Sequence, residues 1–411
     1  MKAIGITCGV GSMLIGARRA GFDIAGNVEW RRYYHIEDEQ GRNTFIENFP
    51  GAIFPYTLDE MSDADRELFY GADIALGHPE CGNFSQLNVS NRSHKMNAKD
   101  PADIPLFVDL VAEFKPRFFV MDDLPKSFAA FPMEEYARRL PDYDLFPEWV
   151  SNYAYGNVQK FRKRMFMIGA LKKENYAFVP GEFEHDLTVE DVVGDLLDPC
   201  GDVPNHDVPA SIGHHLGKRN HRADWREVRD YFAKHQSGQI MEYVGEDGLP
   251  RKRIGASKAY WDGHSFVLTG SNTPSIHPIK NVPFSVRERA RIQGFPDDFV
   301  FYGTRHEPDG SWVHAKNSNV VKQTGKAMPI QFCEYVSRQI AAHIRGEPFE
   351  TTGERVEKQN HLVDEAKRWC YRNIEYANLE AVLKNCWLQD RYVVSDPHAG
   401  IMEEPTQGEL F

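Results

Sequence analysis

The sequence predicts an α/β protein built on a doubly wound, mostly parallel sheet. Short apolar runs alternate with helix-periodic segments over residues 3–121, a Gly-Val-Gly turn joins the first run to the first helix, and polar residues gather where the runs end. With 411 residues and 41% hydrophobic content, the chain is long enough to bury a large core and to divide into more than one domain.

Taken in order, residues 3–8 read as a buried strand, Gly9-Val-Gly11 as a tight turn, and residues 12–20 as a helix with Leu14, Ile15 and Ala17 inward. A second strand over 22–28 ends in Glu29-Trp30. A glycine turn feeding a helix, with an acid about twenty residues further on, is the logic of a nucleotide-type site. The glycines allow close backbone approach, the acid takes ribose hydroxyls, and Trp30 offers a face for an adenine ring. Residues 73–77 form a third strand, which leads into a Gly/Pro-rich turn carrying Cys81. Residues 105–114 have helical periodicity, Lys115-Pro116 stops them, and a strand over 117–121 ends in Asp122-Asp-Leu-Pro125. Ligands of such sheets sit beyond the carboxyl ends of the strands, so Glu29, Cys81 and Asp122 are expected on one rim.

The rest of the composition narrows the setting. Six cysteines, scattered from Cys8 to Cys386, match neither a disulfide framework nor a zinc knuckle, so a reducing interior and no metal site are expected. No run approaches the roughly 18 apolar residues of a membrane helix. The chain is therefore expected to be soluble, cytoplasmic and monomeric. The net charge of −12 argues against a general nucleic-acid coat but leaves room for a local basic groove. Basic residues concentrate at 160–164, 214–222, 251–253 and 287–291. Residues 171–280 break the alternating pattern, with only short segments such as 225–234 reading as helical; 264–270 read as a strand returning to the first domain. Residues 346–395 read as an amphipathic helical extension, and 396–411, whose charged groups are all acidic, as a disordered tail.

The order and content of these segments resemble the DNA cytosine-C5 methyltransferase family over most of residues 1–340. Thr7-Cys-Gly-Val-Gly11 resembles the family's cofactor loop, with Thr7 where Phe is usual, and Glu29-Trp30 its ribose and adenine contacts. Pro79-Glu-Cys-Gly-Asn-Phe-Ser85 resembles the Pro-Pro-Cys-Gln-Gly-Phe-Ser nucleophile loop, and Asp122-Asp-Leu-Pro125 stands for Glu-Asn-Val-Pro. Residues 159–169, with Arg162 and Arg164, are similar to the Gln-x-Arg-x-Arg strand. Residues 284–299 are a long match to the segment that closes the recognition domain, and Gly325-Lys-Ala-Met-Pro329 stands for Gly-Asn-Ala-Val-Pro.

The resemblance implies a Rossmann-like fold of the S-adenosylmethionine-dependent class, with a catalytic domain over 1–170, an inserted target-recognition domain over 171–280 and a return to the catalytic domain over 281–345. It implies double-stranded DNA as partner, in a bacterium or in the host of a phage. S-adenosyl-L-methionine is the implied cofactor, held by Thr7, Gly9, Gly11, Glu29, Trp30, Asp59, Pro79 and Lys326. Cys81 is the implied nucleophile toward cytosine C6, Asp122 the acid beside the ring, and Arg162 or Arg164 the group that binds the base's carbonyl or holds the acid. The target base must leave the duplex for this chemistry. Ser85, Arg92 and Lys95, the last two on a polar loop following the nucleophile and read as a lid, are expected DNA contacts, as are His215, Lys218, Arg219 and Arg222 in the insertion.

Several positions depart from the family pattern: Gly82 for Gln, Asp122 for Glu, Asp123 for Asn and Lys326 for Asn. A lysine beside a sulfonium would repel it by about 1 kcal/mol in water and about 4 at an effective dielectric near 20. Three arrangements relieve this: Lys326 turns to a DNA phosphate, it is deprotonated, or the donor is carboxy-S-adenosyl-L-methionine, which would yield 5-carboxymethylcytosine. A catalytically inactive DNA-binding homologue and a tRNA-acting member are the other readings.

Overall fold

The computed structural model describes residues 1–29, 39–55, 57–81, 103–124, 127–159, 162–181, 186–200, 202–206, 225–244, 248, 250–268, 275–303, 319–328 and 330–349. The expected DNA contacts Ser85, Arg92, Lys95, His215, Lys218, Arg219 and Arg222, together with Trp30, the lid, the C-terminal extension from residue 350 on and the tail, lie outside the described residues.

In chain order the elements are β1 (Lys2–Ile6), α1 (Ser12–Arg19), β2 (Asp23–Val28), α2 (Glu39–Asn48), α3 (Asp63–Phe69), β3 (Ile74–Gly77), α4 (Ile104–Phe114), β4 (Phe118–Asp123), α5 (Ser127–Ala130), α6 (Met133–Arg139), β5 (Tyr143–Ser151), β6 (Lys163–Leu171), α7 (Val189–Val193), α8 (Trp225–Phe232), β7 (Ile240–Val244), β8 (Pro250–Lys258), β9 (Ser275–Ile276), α9 (Val286–Gln293), α10 (Asn319–Gly325) and α11 (Ile330–Arg345). Six strands form one sheet in the order β2-β1-β3-β4-β6-β5. β1 to β4 run parallel; β6 returns antiparallel to β4 and pairs antiparallel with β5. Residues 53–55 run along the free edge of β2, where Asn27 and Glu29 donate their amides to Ile53 and Pro55.

Helices cover both faces, as the sequence predicts. Ile74, Leu76, Phe118, Val120, Phe166 and Ile168 pack with α1 and α11 on one side. Ala75, Phe119, Met121, Met165 and Met167 pack with α4 and α6 on the other. This period-2 alternation puts Asp122 and Asp123, the last residues of β4, on opposite faces.

Three expectations need correction. The strand read over 117–121 runs on through Asp123, so Asp122 lies within β4 and not beyond its end. The segment at 264–270 forms no strand over its described residues 264–268; one bridge, Gln159 to Ser265, and side-chain ties take its place. The stretch 171–280 is more ordered than its composition suggests. Besides helix α8, it holds the antiparallel pair β7–β8, joined by β9 in a second, three-stranded sheet. The run Arg251-Lys-Arg253 hides the strand character of β8, because charged residues carry no hydrophobic alternation to read.

The segment 284–294 owes its shape to local signals. Ser285 and Glu288 form a capping box at the start of α9, and Gly294 ends the helix at φ 95°. A Cβ there would stand 2.5 Å from the Gln331 side chain. The arginines of this helix are not a nucleic-acid surface. Arg287, fully buried, donates to the carbonyls of Pro204, Pro296 and Phe299, and Arg289 to the Thr324 hydroxyl. Arg291 pairs with Asp195 and Asp297. The basic cluster read at 287–291 is therefore a set of internal ties. No helix among the described residues is long and apolar enough to cross a membrane.

Candidate active site

The glycine loop follows β1 with three left-handed residues, Thr7 (φ 60°), Gly9 (φ 59°) and Gly11 (φ 92°). A β-branched residue rarely adopts such a backbone, and Thr7 is held there by its amide on Val28 O at 2.8 Å. Asn27, buried within β2, organises the loop: its Oδ1 accepts from Cys8 N–H at 3.0 Å and its Nδ2 donates to Glu29 Oε1 at 2.8 Å. Gly5 makes room for it, since a Cβ there would sit 2.5 Å from Asn27 Oδ1.

Glu29 is buried at the end of β2 and accepts the Gly9 amide at 2.7 Å through Oε1. Its Oε2 is buried without a hydrogen-bond partner among the described residues. Burial lifts the Glu29 carboxyl to about 7, against the opposing pull of Asn27, the Gly9 amide, His78 and Lys326. An orphaned carboxylate oxygen at a glycine loop fits a ligand that brings hydroxyl donors, as a ribose does. Asp59, by contrast, is exposed on the short turn Leu58–Glu60.

Cys81 stands half-buried at the end of the turn that follows β3. His78, 4% exposed and three residues before it on the same turn, stands close enough to the thiol for the two groups to act on each other's charge. The same imidazole meets Asp122 through Nδ1, 3.0 Å from Oδ2 and 3.1 Å from the backbone carbonyl. Arg164 clamps the same carboxylate, its Nε 2.9 and 3.1 Å from the two oxygens and its Nη2 on the Oδ2 that His78 also meets. Arg164 Nη2 also lies 3.3 Å from His78 Nδ1. Nδ1 cannot both donate to Asp122 and accept from Arg164, and the shorter contact to a carboxylate decides for donation to Asp122.

The charges follow this layout. Burial would raise Asp122, but Arg164 and His78 hold its carboxyl below the usual range. Burial would lower His78, yet Cys81 and Asp122 together push it up to about 10. Burial would raise the Cys81 thiol, and His78 and Arg164 bring it below an ordinary thiol. Asp123, on the opposite face, is pushed well up by burial and by Cys81; its Oδ1 accepts the Leu124 amide and its Oδ2 has no partner among the described residues.

Arg162 does something else. Its two terminal nitrogens donate to Leu268 O at 2.8 Å and Ala327 O at 2.6 Å, and burial lowers it to about 10. Ser12 accepts the Met328 amide at 2.9 Å, so residues 327–328 are pinned between the glycine loop and β6. Lys326, just before them, places Nζ 3.7 Å from Glu80 Oε2.

Of the predicted residues within the described set, the fold thus brings Thr7, Gly9, Gly11, Glu29, Pro79, Cys81, Asp122, Arg164 and Lys326 to one end of the sheet, with Arg162 bracing it from behind. Asn27 and His78 escaped the sequence reading. The only signal for Asn27 was a polar residue inside an apolar run; for His78 it was an imidazole flanked by Gly and Pro, which reads as loop punctuation. Among the described residues, no group of His, Cys, Asp or Glu side chains is placed to hold a metal ion.

Comparison with known proteins agrees with this geometry. A family model described as C-5 cytosine-specific DNA methylase matches residues 1–342. The type II methyltransferase M.MthTI of Methanothermobacter thermautotrophicus is 25% identical over 360 residues, covering 82% of this chain and 96% of its own. M.DdeI of Desulfomicrobium norvegicum is 26% identical over 391 residues, covering 83% and 88%. Among solved structures, an E. coli prophage protein described as a DNA modification methyltransferase superposes with a TM-score of 0.58 at 20% identity, over 84% of this chain and 99% of that one. Spodoptera frugiperda DNMT2 superposes at 0.52 with 10% identity, over 83% and 99%; both likenesses speak for the fold alone.

Proposed function

Since the chain belongs to the C-5 cytosine-specific DNA methylase family, we propose that it transfers a methyl group to C5 of a flipped-out cytosine in DNA through a covalent bond between Cys81 and C6. The observation that carries this reading is the thiol of Cys81 set beside His78, Asp122 and Arg164 at the carboxyl end of β3 and β4.

C5 of cytosine is a poor nucleophile, and addition of a thiolate at C6 makes it enamine-like. Cys81 forms that bond. Asp122, held ionised by Arg164, accepts from the exocyclic amine and so positions the ring for the addition. S-adenosylmethionine, when bound, supplies an electrophilic methyl group. Gly9, Gly11 and Glu29 would hold its nucleoside end, with the orphaned Oε2 on a ribose hydroxyl, and Pro79 and Lys326 would line its other end. A water molecule then takes the C5 proton, its C–H electron pair forms the C5–C6 double bond, and Cys81 leaves as thiolate. The base reaches this pocket only outside the duplex, at a cost of a few kcal/mol.

A second donor, carboxy-S-adenosyl-L-methionine, would place a carboxylate before Lys326. That lysine already has a carboxylate near it in Glu80, which offsets its repulsion of a sulfonium, and this favours the ordinary donor. The test is incubation with DNA containing 5-fluorocytosine and S-adenosylmethionine. A covalent adduct, absent in Cys81→Ala, is expected. No adduct from the wild-type protein while DNA is still bound would leave a binding protein without chemistry. Weighing the nucleosides from ordinary DNA after incubation with each donor identifies the group transferred.

A further inference from the structure

The nucleophile loop carries a group that the chemistry above does not use. His78 is buried on the turn that carries Cys81, three residues before it, acts on the charge of that thiol, and sets Nδ1 on the Asp122 carboxylate. Asp122 is in turn clamped by Arg164. Because Nδ1 is committed to Asp122, Nε2 is the nitrogen left for the thiol. The order thiol, imidazole, carboxylate is that of an activated nucleophile with a base oriented by a third group.

The fold builds this relay from three elements. Gly77 pairs with Met121 and Asp122 with Phe166, so the residue after β3 meets the end of β4, and Arg164 reaches across from β6. Gly77 has no space for a side chain: a Cβ would lie 2.2 Å from Phe107 and 2.3 Å from Ile6 O. The backbone leading into His78 is therefore fixed, and the imidazole has little freedom to leave.

We propose that His78 is a catalytic residue that takes the Cys81 proton, so that the nucleophile rests as a thiolate paired with an imidazolium that Asp122 orients. This rests on Cys81 being the nucleophile. The Sγ–H bond breaks, the proton goes to Nε2, and the freed electron pair on sulfur forms the S–C6 bond. On elimination the same pair returns to sulfur, and the imidazolium stabilises the leaving thiolate. No oxidant or reductant is involved. Around the pair, Asp122, Asp123, Glu80 and Glu29 supply acids, and Arg164, Arg162 and Lys326 supply cations. With Asp123 protonated, Cys81 and Asp122 as anions are matched by His78 and Arg164 as cations. A neutral thiol with neutral imidazole would keep only the second pair.

The experiment is the pH dependence of iodoacetamide alkylation of Cys81 in the free protein, followed by peptide mass spectrometry, with exposed Cys200 as internal reference. In the wild type, Cys81 should stay reactive well below the range where an ordinary thiol of pKa about 8.5 loses its thiolate. In His78→Gln the profile should move up to that range, so that alkylation near about pH 6.5 falls at least tenfold, while near about pH 9.5 the two proteins converge. A merely structural role would change Cys81 exposure and shift the rate at every pH alike. Superimposable profiles, or a uniform loss across pH, would overturn the proposal. Adduct formation on 5-fluorocytosine DNA, run in parallel, separates the two claims: wild-type protein without an adduct refutes the methyltransfer reading, whatever the alkylation profile shows. His78→Asn serves as a second variant should His78→Gln fail to fold, judged by its melting transition.

Discussion

Lys326 Nζ lies 3.7 Å from Glu80 Oε2, which joins the loop before α11 to the nucleophile loop by a charge pair. Glu80 stands where the family pattern has Pro, and Lys326 where it has Asn, so two departures that look unrelated in sequence meet in space. The pair is only partly shielded, with side-chain exposures of 37% and 19%. Its charge on a nearby cofactor should therefore be modest. Lys326→Asn should tighten S-adenosylmethionine relative to S-adenosylhomocysteine, which lacks the sulfonium charge, and Glu80→Gln should loosen it, each by about two- to fivefold. Titration calorimetry with both ligands reads the ratio; a ratio unmoved in both variants would remove Lys326 and Glu80 from the cofactor's surroundings.

Asp123 gives a prediction of opposite sense for stability. Burial and Cys81 push its carboxyl well above the ordinary value, so the folded chain holds a proton there that the unfolded chain releases. The sign follows directly: stability is lost as pH rises from the unfolded pKa of about 4 toward the folded one. A protonated carboxyl has nearly the shape of an amide, and the family pattern has Asn at this position. Asp123→Asn should therefore keep the fold and raise stability more at about pH 8 than at about pH 5. Urea unfolding at the two pH values checks this, and an equal change at both would mean that Asp123 is ionised in the folded chain.

Arg287 tests the reading of the basic run in α9. Its guanidinium satisfies three carbonyls, at Pro204, Pro296 and Phe299, from a fully buried site. A lysine keeps the charge but loses the fork that reaches all three. Arg287→Lys should cost roughly 3 kcal/mol in denaturant unfolding. The slope of DNA affinity against salt should stay as in the wild type, because no phosphate contact is removed. A flattened slope at unchanged stability would return this arginine to the nucleic-acid surface.

What the sequence shows about this site and what it hides divide along sequence distance. The glycine loop, α1 and the strand ends at Glu29 and Cys81 are local patterns: periodicity, turn residues and a polar group after an apolar run. The relation of His78 to Asp122, and of Asp122 to Arg164, spans 44 and 42 residues and exists only because β3, β4 and β6 pair in this register. No window of sequence contains it. Arg162 shows the same limit from the other side. Its place in the motif was legible, but its work, tying Leu268 and Ala327, depends on an extended segment that sequence alone read as a strand.

Glu29 couples cofactor binding to pH. Its carboxyl sits at about 7 in the free chain because burial outweighs the amide and cationic neighbours that favour its charge. Below that pH the folded chain carries an extra proton at Glu29, so ligand-free stability falls as pH climbs from about 4.5 to about 7. Ribose hydroxyls donate, and they meet the ionised carboxylate best. Affinity for S-adenosylhomocysteine should therefore rise over the same window, by at most about tenfold per pH unit, and level off above it. The ligand's own carboxyl and amino groups titrate outside the window and do not mimic this slope. Glu29→Gln should bind more weakly at about pH 8 and show no slope, since a neutral amide has no proton to lose. Calorimetric titrations across the window decide the matter: a slope that persists in Glu29→Gln would assign the linkage to another buried acid and leave Oε2 without a ligand.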